Sequence, residues 1–217
     1  MLSTTLHSSF ANQGQICLCG SRIFIQKPIY EKFKSAFIEK LKTHTVGNPF
    51  DEKTKMGAIV SKDHLEKVLG YVKLAQEEGG KVLFGGNQLT IEGSENGYYM
   101  EPTVIEGLDF NCRTNQEEIF GPVVTLTPFE TEEEAIAMAN DTEYGLANSV
   151  WTKDNERASR VAEAMEAGNS WINAHNVFAH GVPYGGVNKS GGVKMPVMMR
   201  NKSGNRAFFH FFRTKKI

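Results

Sequence analysis

Three cysteines, Cys17, Cys19 and Cys112, are the side chains of this sequence best suited to nucleophilic chemistry, and Cys17 alone ends a short polar turn. The stretch FANQGQIC, Phe10 to Cys17, sets that thiol behind Asn12, Gln13, Gly14 and Gln15 rather than inside an apolar run. A thiol attacks an electrophilic carbon as the thiolate, so a reactive cysteine needs partial exposure and nearby N–H groups or positive charge. The flanks allow both. Gly14 admits backbone conformations closed to other residues, and the three amides offer hydrogen bonds before ICLC returns the chain to a core. The alternative is a buried small hydrophobe, since free cysteine is among the most buried residue types. Cys19 shares the alternation sense of Cys17. Further along, Glu117-Glu118 offers carboxylate acceptors just ahead of an apolar strand, or else is a solvated charge pair. No metal is expected: the six histidines show no pair at ligand spacing, and Cys17-x-Cys19 has neither zinc-ligand spacing nor a second ligand pair.

The elements that must position these residues belong to an ordinary globular chain. Its 217 residues can bury a full core, and 40% hydrophobic content is typical of soluble domains. With 24 basic against 25 acidic residues, the net charge of -1 creates no field to attract nucleic acid or an anionic membrane, so neither partner is expected. No run approaches the ~20 apolar residues of a membrane span. MLSTTLHSSF has no basic or long apolar segment of a secretory signal, and the three cysteines fit a reducing compartment, so a cytoplasmic location is expected.

Leu2, Leu6 and Phe10 recur every four residues, as in a helix leading into the cysteine turn, and the chain reads as beginning inside an element. RIFIQ, residues 22–26, is predicted as a strand, stopped by Lys27-Pro28, which opens a helix with Ile29, Phe33, Phe37 and Leu41 on one face. Ser61 is a plausible N-cap for a second helix presenting Leu65, Val68, Leu69, Val72 and Ala75, closed by Gly79-Gly80. KVLF and YYMEPTVI are predicted strands, with Pro102 marking an edge or bulge in the second. VVTLTPF follows as a strand. Thr131-x-x-Glu134 forms a capping box for the helix 132–140, and residues 147–152 and 170–173 are strands around a helix bearing Ala158, Val161, Ala162 and Met165. Strands separated by single helices imply right-handed crossovers, hence an α/β fold with a mostly parallel sheet and helices on both faces. No linker divides residues 1–191.

Three motifs in order, FANQGQICLCGSRIFIQ from Phe10, EEIFGPVV from Glu117 and PYGGVNKSG from Pro183, resemble the catalytic half of the NAD(P)-dependent aldehyde dehydrogenase superfamily. The similarity runs from about Thr4 to Gly191, and ANQGQICLCGSRI most resembles the enzymes that oxidise muconic semialdehydes. The resemblance implies that Cys17 attacks an aldehyde to form a thiohemiacetal, that hydride passes to NAD or NADP, and that water hydrolyses the resulting thioester to the acid. It implies that the backbone N–H of Cys17 meets the oxyanion, that Glu118 binds the hydroxyls of the nicotinamide ribose, and that Phe120 packs beside the nicotinamide. It places Asn173 near the active site, where it orients the cysteine loop or simply caps a strand end. Phe178 and Tyr184 fall in a loop bordering the aldehyde tunnel, or are packing aromatics.

The same resemblance sets expectations about what these residues lack. Members carry a cofactor domain, a general-base glutamate and an oxyanion asparagine upstream of the cysteine motif, whereas sixteen residues precede Cys17 here. The expected organisation is therefore a catalytic domain over 1–191, without the cofactor domain, and a divergent basic tail over 192–217. One expectation is an aldehyde dehydrogenase of which this sequence is the catalytic half, the rest being cut from the sequence or supplied by another polypeptide, with a homo- or hetero-oligomer with full-length subunits as the expected assembly. The alternative is a non-catalytic remnant serving as a binding or assembly module for such subunits.

Overall fold

The structure, a computed structural model, describes residues 1–178, 182 and 184–191. The basic tail expected over 192–217, and Pro183 of the third motif, lie outside the described residues. The chain divides into two compact units, residues 1–139 and 140–217.

In the first unit, helix α1 (Leu2–Phe10) runs into the cysteine turn, from which strand β1 (Arg22–Gln26) emerges. Helices α2 (Tyr30–Leu41) and α3 (Lys62–Glu77) follow, then β2 (Lys81–Phe84), β3 (Gln88–Leu89), β4 (Tyr99–Met100) and β5 (Thr103–Glu106). A short helix α4 (Arg113–Gln116), strand β6 (Val123–Phe129) and helix α5 (Glu132–Asn140) complete the order. The sheet order is β1-β6-β5-β2. β6 pairs in parallel with both β1 and β5, and β2 is added antiparallel at the edge. The α/β fold with a mainly parallel sheet expected from the strand–helix alternation is thus present.

Period-two alternation along the central strands explains why both faces carry helices. Val104, Val124 and Leu126 face one way and pack with Leu6 and Phe10 of α1 and Phe33, Phe37 and Leu41 of α2. Ile105 and Val123 face the other way and pack with Leu65, Val68, Val72 and Ala75 of α3. The predicted Ser61 cap is formed, its side chain accepting from the His64 N–H at 3.2 Å. Thr131 likewise accepts from the Glu134 N–H at 3.2 Å.

Two local expectations change. Ile29 is 49% exposed, while Tyr30 is buried on the α2 face. Lys27–Ile29 forms a separate 3₁₀ turn around Pro28, and its tighter winding rotates Ile29 off the apolar stripe. YYMEPTVI is not one strand but two, because Pro102 has no N–H to continue a ladder. Thr103 Oγ1 closes the break, accepting from the Gly86 N–H at 2.9 Å and donating to the Glu101 carbonyl at 3.0 Å.

Behind α1, the His44 ring lies 5.9 Å from Phe10 and its Nε2 is buried without a partner. Burial, with Lys55 and His7 adding positive charge nearby, holds its pKa below the ordinary 6.5. The native state therefore keeps His44 neutral while the unfolded chain takes up the proton. Stability is complete above pH ~6.5 and declines as the pH falls from there. Urea unfolding across this range should show a smaller decline in His44→Phe than in the natural sequence; equal declines would rule His44 out as the cause.

The second unit holds strand β7 (Ala147–Val150), helix α6 (Asn155–Ala164) and strand β8 (Asn169–Ile172). β7 and β8 pair in parallel, and Ala158, Val161 and Ala162 of α6 are buried. Asp154 caps α6, accepting from the Arg157 N–H at 3.0 Å. Among the described residues, no helix is long and apolar enough to cross a membrane.

Candidate active site

The pairing of β1 with β6 assembles the candidate site. Because Arg22 stands opposite Thr125 in a parallel register, the segments entering the two strands arrive at the same end. One is the cysteine turn; the other is the loop Glu117–Pro122. They meet backbone to backbone: a Cβ on Gly14 would stand 2.1 Å from the Gly121 carbonyl oxygen, so only glycine fits. A Cβ on Gly121 would in turn stand 2.6 Å from Val68 of α3. The glycines of the first two motifs thus form one close-packed seam.

The cysteine turn is left-handed over three consecutive residues, Asn12 (φ 50°), Gln13 (φ 59°) and Gly14 (φ 69°). Glycine takes this conformation freely, but a residue with a side chain loses about 1–2 kcal/mol. Local and distant hydrogen bonds offset that cost. Asn12 Nδ2 donates to the Gln15 carbonyl at 2.8 Å, while the Gln15 N–H donates to the Asn12 carbonyl at 2.9 Å. Gln13 Nε2 donates to the Ala58 carbonyl at 3.0 Å, and Gln15 Oε1 accepts from the Val60 N–H at 3.0 Å.

Cys17 occupies the corner of the next turn, which the Cys19 N–H closes onto the Ile16 carbonyl at 3.0 Å. Its thiol is exposed and free, and Leu18 beside it is 8% exposed. Among the described residues the Cys17 N–H has no internal acceptor. The other two thiols are held protonated. Burial pushes Cys19 up to about 12, against the opposing hydrogen bond at Ile16. Burial also raises Cys112, which bonds the Glu78 carboxylate.

The two adjacent glutamates have different fates. Glu117 takes a bidentate pair from Arg113, Nε to Oε1 at 2.7 Å and Nη2 to Oε2 at 3.0 Å, and the Tyr71 hydroxyl donates to it at 2.7 Å. The Arg113 and Tyr71 bonds hold its carboxyl below the ordinary carboxylate value. Glu118 is exposed, and its carboxylate has no internal partner among the described residues. Its backbone is nonetheless fixed, since Lys67 Nζ donates to the Glu118 carbonyl at 3.2 Å. Phe120 is left-handed at φ 60°, with its carbonyl 2.7 Å from His64 Nε2 and its ring edge-on to the imidazole at 6.2 Å. Glu117→Ala should therefore lower the thermal unfolding midpoint while Glu118→Ala leaves it unchanged. The reverse order would show that Glu118 is the structural member of the pair.

His64, Lys67 and Tyr71 thus grip the Glu117–Phe120 loop from one edge of α3, and the sequence reading missed all three. Their spacing of three and four was the available signal, a polar row beside the apolar stripe 65, 68, 72 and 75.

In the second unit, Asn173 follows β8 at φ 51°. Its amide is spent on strand ends, Oδ1 accepting from the Thr152 N–H at 3.1 Å and Nδ2 donating to the Thr152 carbonyl at 2.8 Å. Phe178 and Tyr184 are 56% and 45% exposed and meet edge to face at 5.3 Å. Trp171 packs against Phe178 at 5.8 Å and donates its Nε1–H to the Val177 carbonyl at 2.8 Å. The glycines of the third motif sit where backbones touch: a Cβ on Gly168 would stand 1.7 Å from the Gly185 carbonyl oxygen.

Comparisons with known proteins show which family the chain resembles. The profile of the aldehyde dehydrogenase family matches residues 1–217. The 2-aminomuconic semialdehyde dehydrogenase of Danio rerio is 42% identical over 214 residues, covering 97% of this chain and 42% of that protein. The betaine aldehyde dehydrogenase of Mesorhizobium japonicum is 43% identical over 183 residues, covering 84% of this chain and 38% of that protein. Among solved structures, betaine aldehyde dehydrogenase from Staphylococcus aureus in complex with NAD+ superposes with a TM-score of 0.84 at 41% identity. That match covers 87% of this chain and 38% of the other. The chain spans about 40% of the length of the relatives it matches.

Proposed function

Because this chain belongs to the aldehyde dehydrogenase family, we propose that it supplies the nucleophile and part of the cofactor site for NAD(P)-dependent oxidation of an aldehyde to a carboxylic acid. The observation carrying this reading is the presentation of Cys17: an exposed thiol and an N–H with no acceptor among the described residues, at the corner of a clamped turn packed through Gly14 and Gly121 onto the Glu118 loop. The Cys17 thiolate attacks the aldehyde carbon, forming a C–S bond and placing negative charge on the former carbonyl oxygen. The Cys17 N–H is a fixed donor for that oxyanion, an interaction worth about 2.7–4 kcal/mol where single donors have been removed from other enzymes. NAD(P), when bound, supplies the hydride acceptor that converts the thiohemiacetal on Cys17 into a thioester. Water then releases the acid and restores the thiol.

The cofactor fits the residues present. Among the described residues both Glu118 carboxylate oxygens are without a partner, on a fixed backbone, the arrangement a vicinal ribose diol requires, and Phe120 offers an aromatic face two residues on. Within the second unit, Phe178 and Tyr184 form an exposed aromatic pair, and Asn173 serves the strand end it caps. The test is a panel assay on the purified protein, alone and together with a full-length relative whose own nucleophilic cysteine is replaced by alanine, with NAD+ and NADP+, beginning with the semialdehyde and betaine aldehyde that the relatives' names specify. Reduced nicotinamide and carboxylic acid should appear in equal amounts; no reduction with any aldehyde would contradict the proposal.

A further inference from the structure

The geometry points to Gln13 and Gln15 as positioning residues for Cys17, working as a clamp of opposite hydrogen-bond polarity on the segment Ala58–Val60. This inference rests on the reading of Cys17 as the nucleophile. Both side chains leave the strained turn and reach residues 45 positions away in sequence. Among the described residues the Gln13 side chain acts only as a donor, to the Ala58 carbonyl, and that of Gln15 only as an acceptor, from the Val60 N–H. Backbone partners leave no ambiguity about which end of each amide is engaged, because a carbonyl cannot donate and an N–H cannot accept. Ile59, between the two contact points, is 2% exposed and packs with Leu65 and Val68 of α3, so the clamp grips a fixed object. The Ile59 N–H is itself anchored on the Tyr98 carbonyl at 2.8 Å.

The consequence for Cys17 follows from the short path between them. Asn12 and Gln13 hold conformations that side-chain-bearing residues leave when unsupported. Two residues beyond Gln15, Cys17 points outward only while Leu18 stays inward, so release of the turn mixes the two orientations and withdraws the thiol. Gln13 and Gln15 do not touch the reacting carbon; they act through the turn.

Opposite polarity makes the clamp separable from general stability. Gln15→Glu keeps an acceptor for the Val60 N–H, whereas Gln13→Glu sets a carboxylate oxygen against the Ala58 carbonyl, acceptor against acceptor. The two variants carry the same added charge, and the tolerated one lies nearer Cys17, so charge alone would give the opposite order. The experiment treats the purified protein with limiting iodoacetamide and reads Cys17 modification by mass spectrometry, with Cys112 of the same chain as internal reference. Val60 amide hydrogen exchange and the thermal midpoint are measured alongside.

The expected result is a several-fold fall in the Cys17 to Cys112 ratio in Gln13→Glu and in Gln15→Met, with Gln15→Glu close to the natural protein. Val60 exchange should accelerate in Gln15→Met alone of the two position-15 variants. Equal behaviour of the two glutamate variants would overturn the inference. So would a Cys17 ratio that stays constant while Val60 exchange accelerates, since the clamp would then exist without positioning the thiol. If Gln13→Glu does not fold, the contrast between Gln15→Glu and Gln15→Met decides. Alkylation needs neither aldehyde nor cofactor, so a protein that oxidises no aldehyde sinks the proposed function and leaves this measurement intact.

Discussion

Under the proposed function, Cys17→Ala should lower aldehyde oxidation by about 10⁴-fold or more, the scale seen when a nucleophile is removed from a covalent mechanism. Everything else about the protein should stay in place. The Cys17 side chain is exposed and, among the described residues, has no hydrogen-bond partner, so its loss falls within the roughly ±0.5 kcal/mol of ordinary surface changes. Cys19→Ala supplies the contrast. Its thiol is half-buried against the Ala11 carbonyl at 3.8 Å and pushed up to about 12, so it packs and does not attack. That variant should lose some stability and keep most of its rate. Retention of more than about a tenth of the rate by Cys17→Ala would remove Cys17 from the mechanism.

Gly14→Ala is the second large effect, and it strikes stability first. The new methyl would sit 2.1 Å from the Gly121 carbonyl oxygen and 2.8 Å from the Pro122 nitrogen, both main-chain atoms that cannot rotate away. The residue is also left-handed at φ 69°. Overpacking against backbone and a disfavoured φ together cost about 3 kcal/mol or more. For a chain of this size that corresponds to roughly 6–12 °C in thermal midpoint. The seam between the cysteine turn and the Glu118 loop opens, so whatever folded protein remains should label Cys17 abnormally and bind cofactor weakly. A Gly14→Ala protein with an unchanged midpoint would show that the two loops do not pack as described.

Much of this was legible from residue types. RIFIQ and VVTLTPF are strands over the residues expected, because β-branched and aromatic runs bounded by breakers have few other options. The α3 face follows from spacing alone, and Ser61 caps it as serine before a helix should. The limits are equally physical. Gly14 could be foreseen as left-handed, but Asn12 and Gln13 could not, since their conformation depends on partners at Ala58 and Gln15. Glu117 and Glu118 look equivalent in sequence. Among the described residues, Arg113 and Tyr71, brought in by α4 and α3, commit Glu117 and leave Glu118 without a partner. Pro102 was recognised as an interruption, yet the shift of partner from β3 to β6 across it is a property of the sheet.

The central claim is that Cys17 is the thiol on which an acyl group is carried. The most direct measurement uses p-nitrophenyl acetate, which acylates a nucleophilic thiol without any cofactor. The purified protein is quenched in acid shortly after mixing, digested, and its three cysteine peptides compared by mass spectrometry. Acetyl should appear on Cys17 and on neither Cys19 nor Cys112. Acetyl on Cys112, or on none of the three, would contradict it.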